Sequence, residues 1–131
     1  MSSTIPVTTH KKEEFINMTP RIQKEINVQG VQNGLCHLFI PHTTAAVTIN
    51  ENADPDVITD ILHGLSTMVP NQGFKHREGN SPAHIRSSLF GVSLNVPIHN
   101  GELKLGIWQG VYFCEFDGPR DRQMWISLFP F

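Results

Sequence analysis

The chain has 131 residues, 39% of them hydrophobic and 17% charged, and a formal charge of −2 from 10 basic and 12 acidic side chains. That balance is globular rather than disordered, and the length is that of one domain, residues 1–131. No basic stripe gives the electrostatic footprint of a nucleic-acid binder, and no apolar run approaches the ~18 residues of a membrane span.

Residues 4–17 read as an opening strand or hairpin whose turn, Lys11-Lys12-Glu13-Glu14, is a solvated charged face. Thr19-Pro20 reads as a helix start, with Thr19 as N-cap and Pro20 where its missing N–H costs nothing. Ile22 and Ile26 share a face of this helix, and Gly30 is its stop. From Leu35 the period changes to two: residues 35–40 and 45–49 are strands, with Ala45, Val47 and Ile49 on one side.

Asp54-Pro55-Asp56 opens the clearest helix, since Asp54 caps, Pro55 takes the first position and Asp56 complements the dipole. Val57, Ile58, Ile61, Leu62, Leu65 and Met68 form its apolar stripe, and Pro70 ends it. Residues 71–83 are a polar loop, long enough to be functional or mobile. Strands follow at 89–97, 103–109, 111–117 and 123–129, with Asn100-Gly101 as a tight hairpin turn. Strands, two helices, then more strands predict an α+β fold: a mostly antiparallel two-layer sheet sandwich closed on one side by the helices.

Cys36 and Cys114 sit apart in apolar runs and read as buried, reduced thiols. Nothing before His10 resembles a signal peptide, so a cytoplasmic location is expected.

Seven histidines are the compositional outlier. His42, in Pro41-His42-Thr43-Thr44, lies between two strands, while His76 and His84 flank the polar loop with Arg77, Glu78 and Asn80 between them. Gathered by the fold, the three would make an open metal site, although no local metal motif has this spacing. Glu51 and Asn52 stand beside Asp54 at the helix entrance, suited either to acid–base work or a cation, or to a hydrogen-bonded entrance.

Alternation puts Glu115 on the face of Val111 and Phe113. Buried there it needs a positive partner, and Arg120 and Arg122 follow closely. A structural Glu–Arg bridge and a catalytic carboxylate both fit. In Gly106-Ile107-Trp108-Gln109-Gly110 the glycines allow close approach of a ligand or another backbone. Arg86 beside Ser87-Ser88, and Arg120 with Arg122, suit a phosphate. The absence of a P-loop, dinucleotide fingerprint or nucleophile elbow argues against ATP-driven chemistry and a typical serine hydrolase.

Taken together, His42-Thr43-Thr44, Asn50-Glu51-Asn52-Ala53-Asp54-Pro55-Asp56-Val57, Ala83-His84-Ile85-Arg86-Ser87-Ser88 and Gly106-Ile107-Trp108-Gln109-Gly110 resemble the YjbQ family, also described as the secondary thiamine-phosphate synthase family. The resemblance runs from about Leu35 to Ser127. It implies an α+β sandwich that forms a homotrimer, with a polar, histidine-holding pocket near the subunit interface that often contains a metal ion.

By resemblance, His42, His76 and His84 bind a divalent metal (zinc or magnesium), and Glu51 and Glu115 are catalytic acid–base groups or support the ligands. Asn52, Asn80, Arg86, Gln109, Arg120 and Arg122 are the expected contacts to a small phosphorylated metabolite. The implied reaction condenses a pyrimidine diphosphate with a thiazole phosphate and releases pyrophosphate; the alternative is a non-enzymatic binding homotrimer. The chain departs from the family pattern at Ile107, where threonine is usual, and at Arg86, where lysine is common. The apolar tail, residues 128–131, is a candidate to dock across subunits.

Overall fold

The computed structural model describes residues 1–131. Its strands are β1 (Ser2–Thr8), β2 (Glu14–Asn17), β3 (Gly34–Phe39), β4 (Ala45–Glu51), β5 (Ser93–His99), β6 (Glu102–Leu103), β7 (Gln109–Glu115) and β8 (Asp121–Pro130). Its helices are α1 (Thr19–Gln29), α2 (Pro55–Met68) and α3 (Ser81–Phe90). One antiparallel sheet runs β1-β8-β3-β5-β6 and the other β2-β7-β4.

Period-two patterning explains how the sheets meet. Ile5, Val7, Cys36, Leu38, Val96, Ile98, Met124, Ile126 and Leu128 line the inner face of the larger sheet. They share one buried cluster with Ala45, Val47, Val111 and Phe113 of the smaller sheet, and Ile22 and Ile26 of α1 close it. The other face of the smaller sheet, with Ala46, Tyr112, Cys114 and Phe116, is covered by Leu65 of α2 and Ala83 of α3. The result is an α+β sandwich, as the sequence predicts.

Several local expectations hold. Asp54 Oδ1 accepts from the Asp56 N–H at 2.9 Å, capping α2. Gly30 ends α1 in the left-handed conformation, at φ 74°. Asn100 and Gly101 both have positive φ, as their turn requires.

Others are corrected. The opening segment is no hairpin: β1 pairs with β8 and β2 with β7, so the two strands belong to different sheets. Thr19 does not cap α1, because its Oγ1 accepts from the Val111 N–H at 2.8 Å and ties the helix start to β7. The stretch read as the end of a loop and the start of a strand is a third helix, α3. Its buried positions are Pro82, Ala83, Arg86 and Ser87, small or charged residues that leave no apolar stripe to read. Residues 104–108 are a loop, and only Glu102–Leu103 is strand. On α2 only Leu65 is buried, and Met68 at the end of the expected stripe is 71% exposed.

Candidate functional site

The β3–β4 connection, the loop before α3, the first turns of α3 and the start of β8 meet at one end of the sandwich. There they enclose a cleft of about 440 Å³ lined by Pro41, His42, Thr43, Thr44, His76, Glu78, Asn80, His84, Arg120 and Arg122. Residues 42, 76 and 84 are thus brought to one place, with the His76 and His84 rings edge to face at 5.6 Å between centroids. A second cleft of about 730 Å³ shares Pro41, His42, Thr43 and His84 and continues past Phe39, Ile40 and Val92.

A buried polar network builds the floor. Arg122, 6% exposed, donates Nε to Glu115 Oε1 at 2.9 Å and Nη2 to Glu115 Oε2 at 2.5 Å. Nη2 also donates to Thr44 Oγ1 at 2.8 Å. Glu115 is fully buried and accepts two further bonds, from Thr9 Oγ1 at 2.7 Å and from the Asp117 N–H at 3.1 Å. A carboxylate has about four acceptor positions, and all are filled. Glu115 therefore anchors Arg122 as the structural Glu–Arg bridge, one of the two roles the sequence allows it. Arg120 is held in parallel, its Nη2 on Asp117 Oδ2 at 2.9 Å and its Nε on the Asp117 carbonyl at 2.8 Å.

Burial pushes the Glu115 carboxyl upward, but hydrogen bonds from Arg122, Thr9 and the Asp117 backbone, with the Arg122 charge, hold it below the ordinary carboxylate value. Burial opposes Asp117 too, and bonds from Asn80 and Arg120 win there as well. The His42 pKa lies below the ordinary imidazole value, first through burial and then through the Arg122 charge.

His42 Nε2 accepts from the Gln123 backbone N–H at 2.9 Å. A neutral imidazole has one bare nitrogen, so this bond places the ring proton on Nδ1 and makes His42 a donor. In this arrangement the Gln123 N–H occupies the His42 Nε2 lone pair. No three imidazole, thiol or carboxylate groups converge as a metal site. His76 and His84, with Glu78 on the same cleft, are the donors left to hold a cation.

Three expected site residues, Glu51, Asn52 and Gln109, lie elsewhere. Antiparallel pairing of β4 with β7 sets Ala45 beside Glu115 but Glu51 beside Gln109, about 20 Å further along the strands. Glu51 Oε2 accepts from the Ala53 and Asp54 N–H groups at 2.9 and 3.4 Å, so it organises the entrance to α2. Asn52 Oδ1 accepts from Asn17 Nδ2 at 2.9 Å and Tyr112 Oη at 3.3 Å, and its side chain lies where a Cβ on Gly110 would clash, at 2.8 Å. Gln109 Oε1 accepts from the Gly106 N–H at 2.7 Å and shapes its own loop.

Arg86 also leaves the set, because it is buried against Glu13 at 2.8 Å and does not line the histidine cleft. That bond ties the half-buried Glu13 to α3, so it is not a freely solvated turn residue. Asn80, Arg120 and Arg122 do line the cleft. Sequence reasoning missed Thr9 and Asp117, which complete the Glu115 and Arg120 anchors; nothing local in the sequence marks Thr9, whose partner is 106 residues away.

Residues 3–130 match the family model described as UPF0047 protein YjbQ-like. The UPF0047 protein MJ1081 of Methanocaldococcus jannaschii is 48% identical over 123 residues, 93% of this chain and 89% of the relative. The UPF0047 protein YugU of Bacillus subtilis is 44% identical over 130 residues, 98% of each chain. Among solved structures, a YjbQ/UPF0047 family protein of Clostridium acetobutylicum superposes with a TM-score of 0.94 at 49% identity, covering 97% of this chain and 99% of that one. The hypothetical protein APE1520 of Aeropyrum pernix also reaches 0.94, at 31% identity, covering 100% of this chain and 99% of that one.

Proposed function

The chain belongs to the YjbQ-like UPF0047 family, and from that premise we propose that its histidine cleft binds a phosphorylated metabolite together with a divalent cation and catalyses a transfer that releases pyrophosphate. The observation that carries this reading is the convergence of His42, His76 and His84 with Arg120 and Arg122 in one cleft. Arg122 Nη1 takes part in none of the bonds that fix its guanidinium, and the His42 Nδ1–H is a second donor.

Charge decides what else is needed. Glu115 and Asp117 already answer the two arginines, and Glu78 adds a carboxylate. Net attraction for a phosphate must therefore come from imidazolium or from a bound cation. Zinc suits the imidazoles of His76 and His84 better than magnesium, which prefers an all-oxygen shell. When bound, the cation would supply charge stabilisation to the leaving phosphate oxygens. The arginines and the His42 Nδ1–H would orient the substrate, while His76 and His84 would hold the cation.

The thiamine-phosphate synthase-like reaction is the transferase suggested by the family resemblance. Incubation with the pyrimidine diphosphate and thiazole phosphate should yield thiamine phosphate and pyrophosphate at a rate that His84→Ala abolishes. A binding-only protein is the second reading, supported by the saturation of Glu115, which leaves Glu78 as the one carboxylate lining the cleft. It predicts saturable binding without product.

A homotrimer would use the uncovered face of the larger sheet, where Phe39 stacks on Trp125 at 5.7 Å and Phe129 is exposed. Trp125→Arg should then lower the solution mass from three times 14.7 kDa toward a single chain. The buried, unpaired Cys36 and Cys114 suit the reducing cytoplasm. No helix is long and apolar enough to cross a membrane.

A further inference from the structure

Across Asn80 from the histidine cleft lies a smaller cavity of about 170 Å³, bordered by Lys12, Glu13, Asn80, Arg86, Phe116 and Asp117. Arg86 reaches it from α3 and is 3% exposed. It donates Nη1 to Glu13 Oε1 at 2.8 Å, and its buried Nε has no partner. The other buried side-chain atom without a partner is Asn80 Oδ1. Its identity as oxygen is fixed, because Asn80 Nδ2 donates at 2.9 Å to Asp117 Oδ2, an atom that can only accept.

The two unsatisfied atoms of the interior thus belong to residues bordering one cavity, one a donor and the other an acceptor. Each carries a desolvation penalty that a matching guest would remove. Arg122 shows how the same guanidinium edge behaves when filled, with Nε and Nη2 forking onto the two oxygens of Glu115. On Arg86 that edge is unfilled, because Glu13 takes Nη1 instead. Charge points the same way. The lining carries two cations, Lys12 and Arg86, and two carboxylates, Glu13 and Asp117. Glu13 pairs with Arg86, and Asp117 with Arg120 from outside the cavity, which leaves Lys12 without an ion pair.

We propose that this cavity binds a small monocarboxylate carrying a hydroxyl or amino group on the neighbouring carbon. The carboxylate forks onto Nε and Nη2 of Arg86, and the adjacent O–H or N–H donates to Asn80 Oδ1. The volume corresponds to about five or six waters, enough for a molecule the size of glycolate or lactate. No phosphate or cation of the histidine cleft enters the argument, so either reading can fail alone.

Glycolate is the probe, titrated into the full chain while the arginine Nε–H signals are followed by NMR; the Arg86 signal is the one missing from Arg86→Lys. The expected result is a saturable shift of that signal and a rise in melting temperature, neither occurring in Arg86→Lys. Asn80→Ala should weaken glycolate about tenfold while leaving acetate, which has no hydroxyl, unchanged. Should Arg86→Lys fail to fold, the wild-type Nε–H titration and the Asn80→Ala comparison still decide. A shift that never saturates and matches sodium chloride would overturn the proposal. So would saturation by inorganic phosphate but not glycolate, or a long-lived water at Arg86 Nε that glycolate does not displace.

Discussion

Glu115 and Arg122 clasp each other across the β7–β8 turn through two bonds, 2.9 Å from Nε to Oε1 and 2.5 Å from Nη2 to Oε2. Thr9 and the Asp117 backbone occupy the remaining carboxylate positions, and Thr44 takes Nη2 from the other side. The pair fixes where a guanidinium meets the histidine cleft. Because both charges are buried, removing one partner costs far more than the pair contributes net.

Glu115→Gln should accordingly destabilise the fold by about 3–5 kcal/mol, read from urea unfolding at pH 7. The wild type should also lose stability in acid. A carboxyl held below its ordinary value, 4.5 for Glu115 and 3.8 for Asp117, stabilises the fold above that value. The contribution is then lost as pH falls from there through the folded pKa. Unfolding free energies between pH 7 and 3 should show this slope, reduced in Glu115→Gln; an equal slope in both would remove Glu115 as its source.

His42 should be neutral at pH 7 and carry its proton on Nδ1. Nitrogen-15 shifts of the ring report this directly, and an Nε2–H tautomer would contradict it. With its folded pKa below the ordinary 6.5, His42 makes stability decline as pH falls below 6.5, since the unfolded chain takes the proton first. His42→Ala should flatten that part of the profile.

Zinc binding should separate the histidines. His84→Ala and His76→Ala should each weaken zinc at least about tenfold, whereas His42→Ala should change it little. Calorimetric titration of the three variants checks this, and equal losses in all three would restore His42 to the ligand set.

Much of this was legible in the sequence where a local signal sufficed. Asp54-Pro55 announced α2, and the alternation of Val111, Phe113 and Glu115 placed a carboxylate inside with an arginine to answer it. What stayed hidden depends on register and on small residues. Glu51 and Glu115 both looked catalytic, yet antiparallel pairing puts them at opposite ends of β4 and β7. Helix α3 buries Ala83, Ser87 and Arg86 rather than an apolar stripe, so no periodicity marked it. The engagement of the His42 lone pair rests on Gln123, 81 residues away, a contact only the folded sheet creates.

Pyrophosphate titrated calorimetrically into the protein at pH 7.5, with and without zinc, tests the cleft most directly. One saturable site that tightens with zinc and weakens at least about tenfold in both His84→Ala and Arg120→Ala is the predicted outcome. Binding of equal strength in all three proteins, indifferent to zinc, would contradict a shared phosphate and cation site among these side chains.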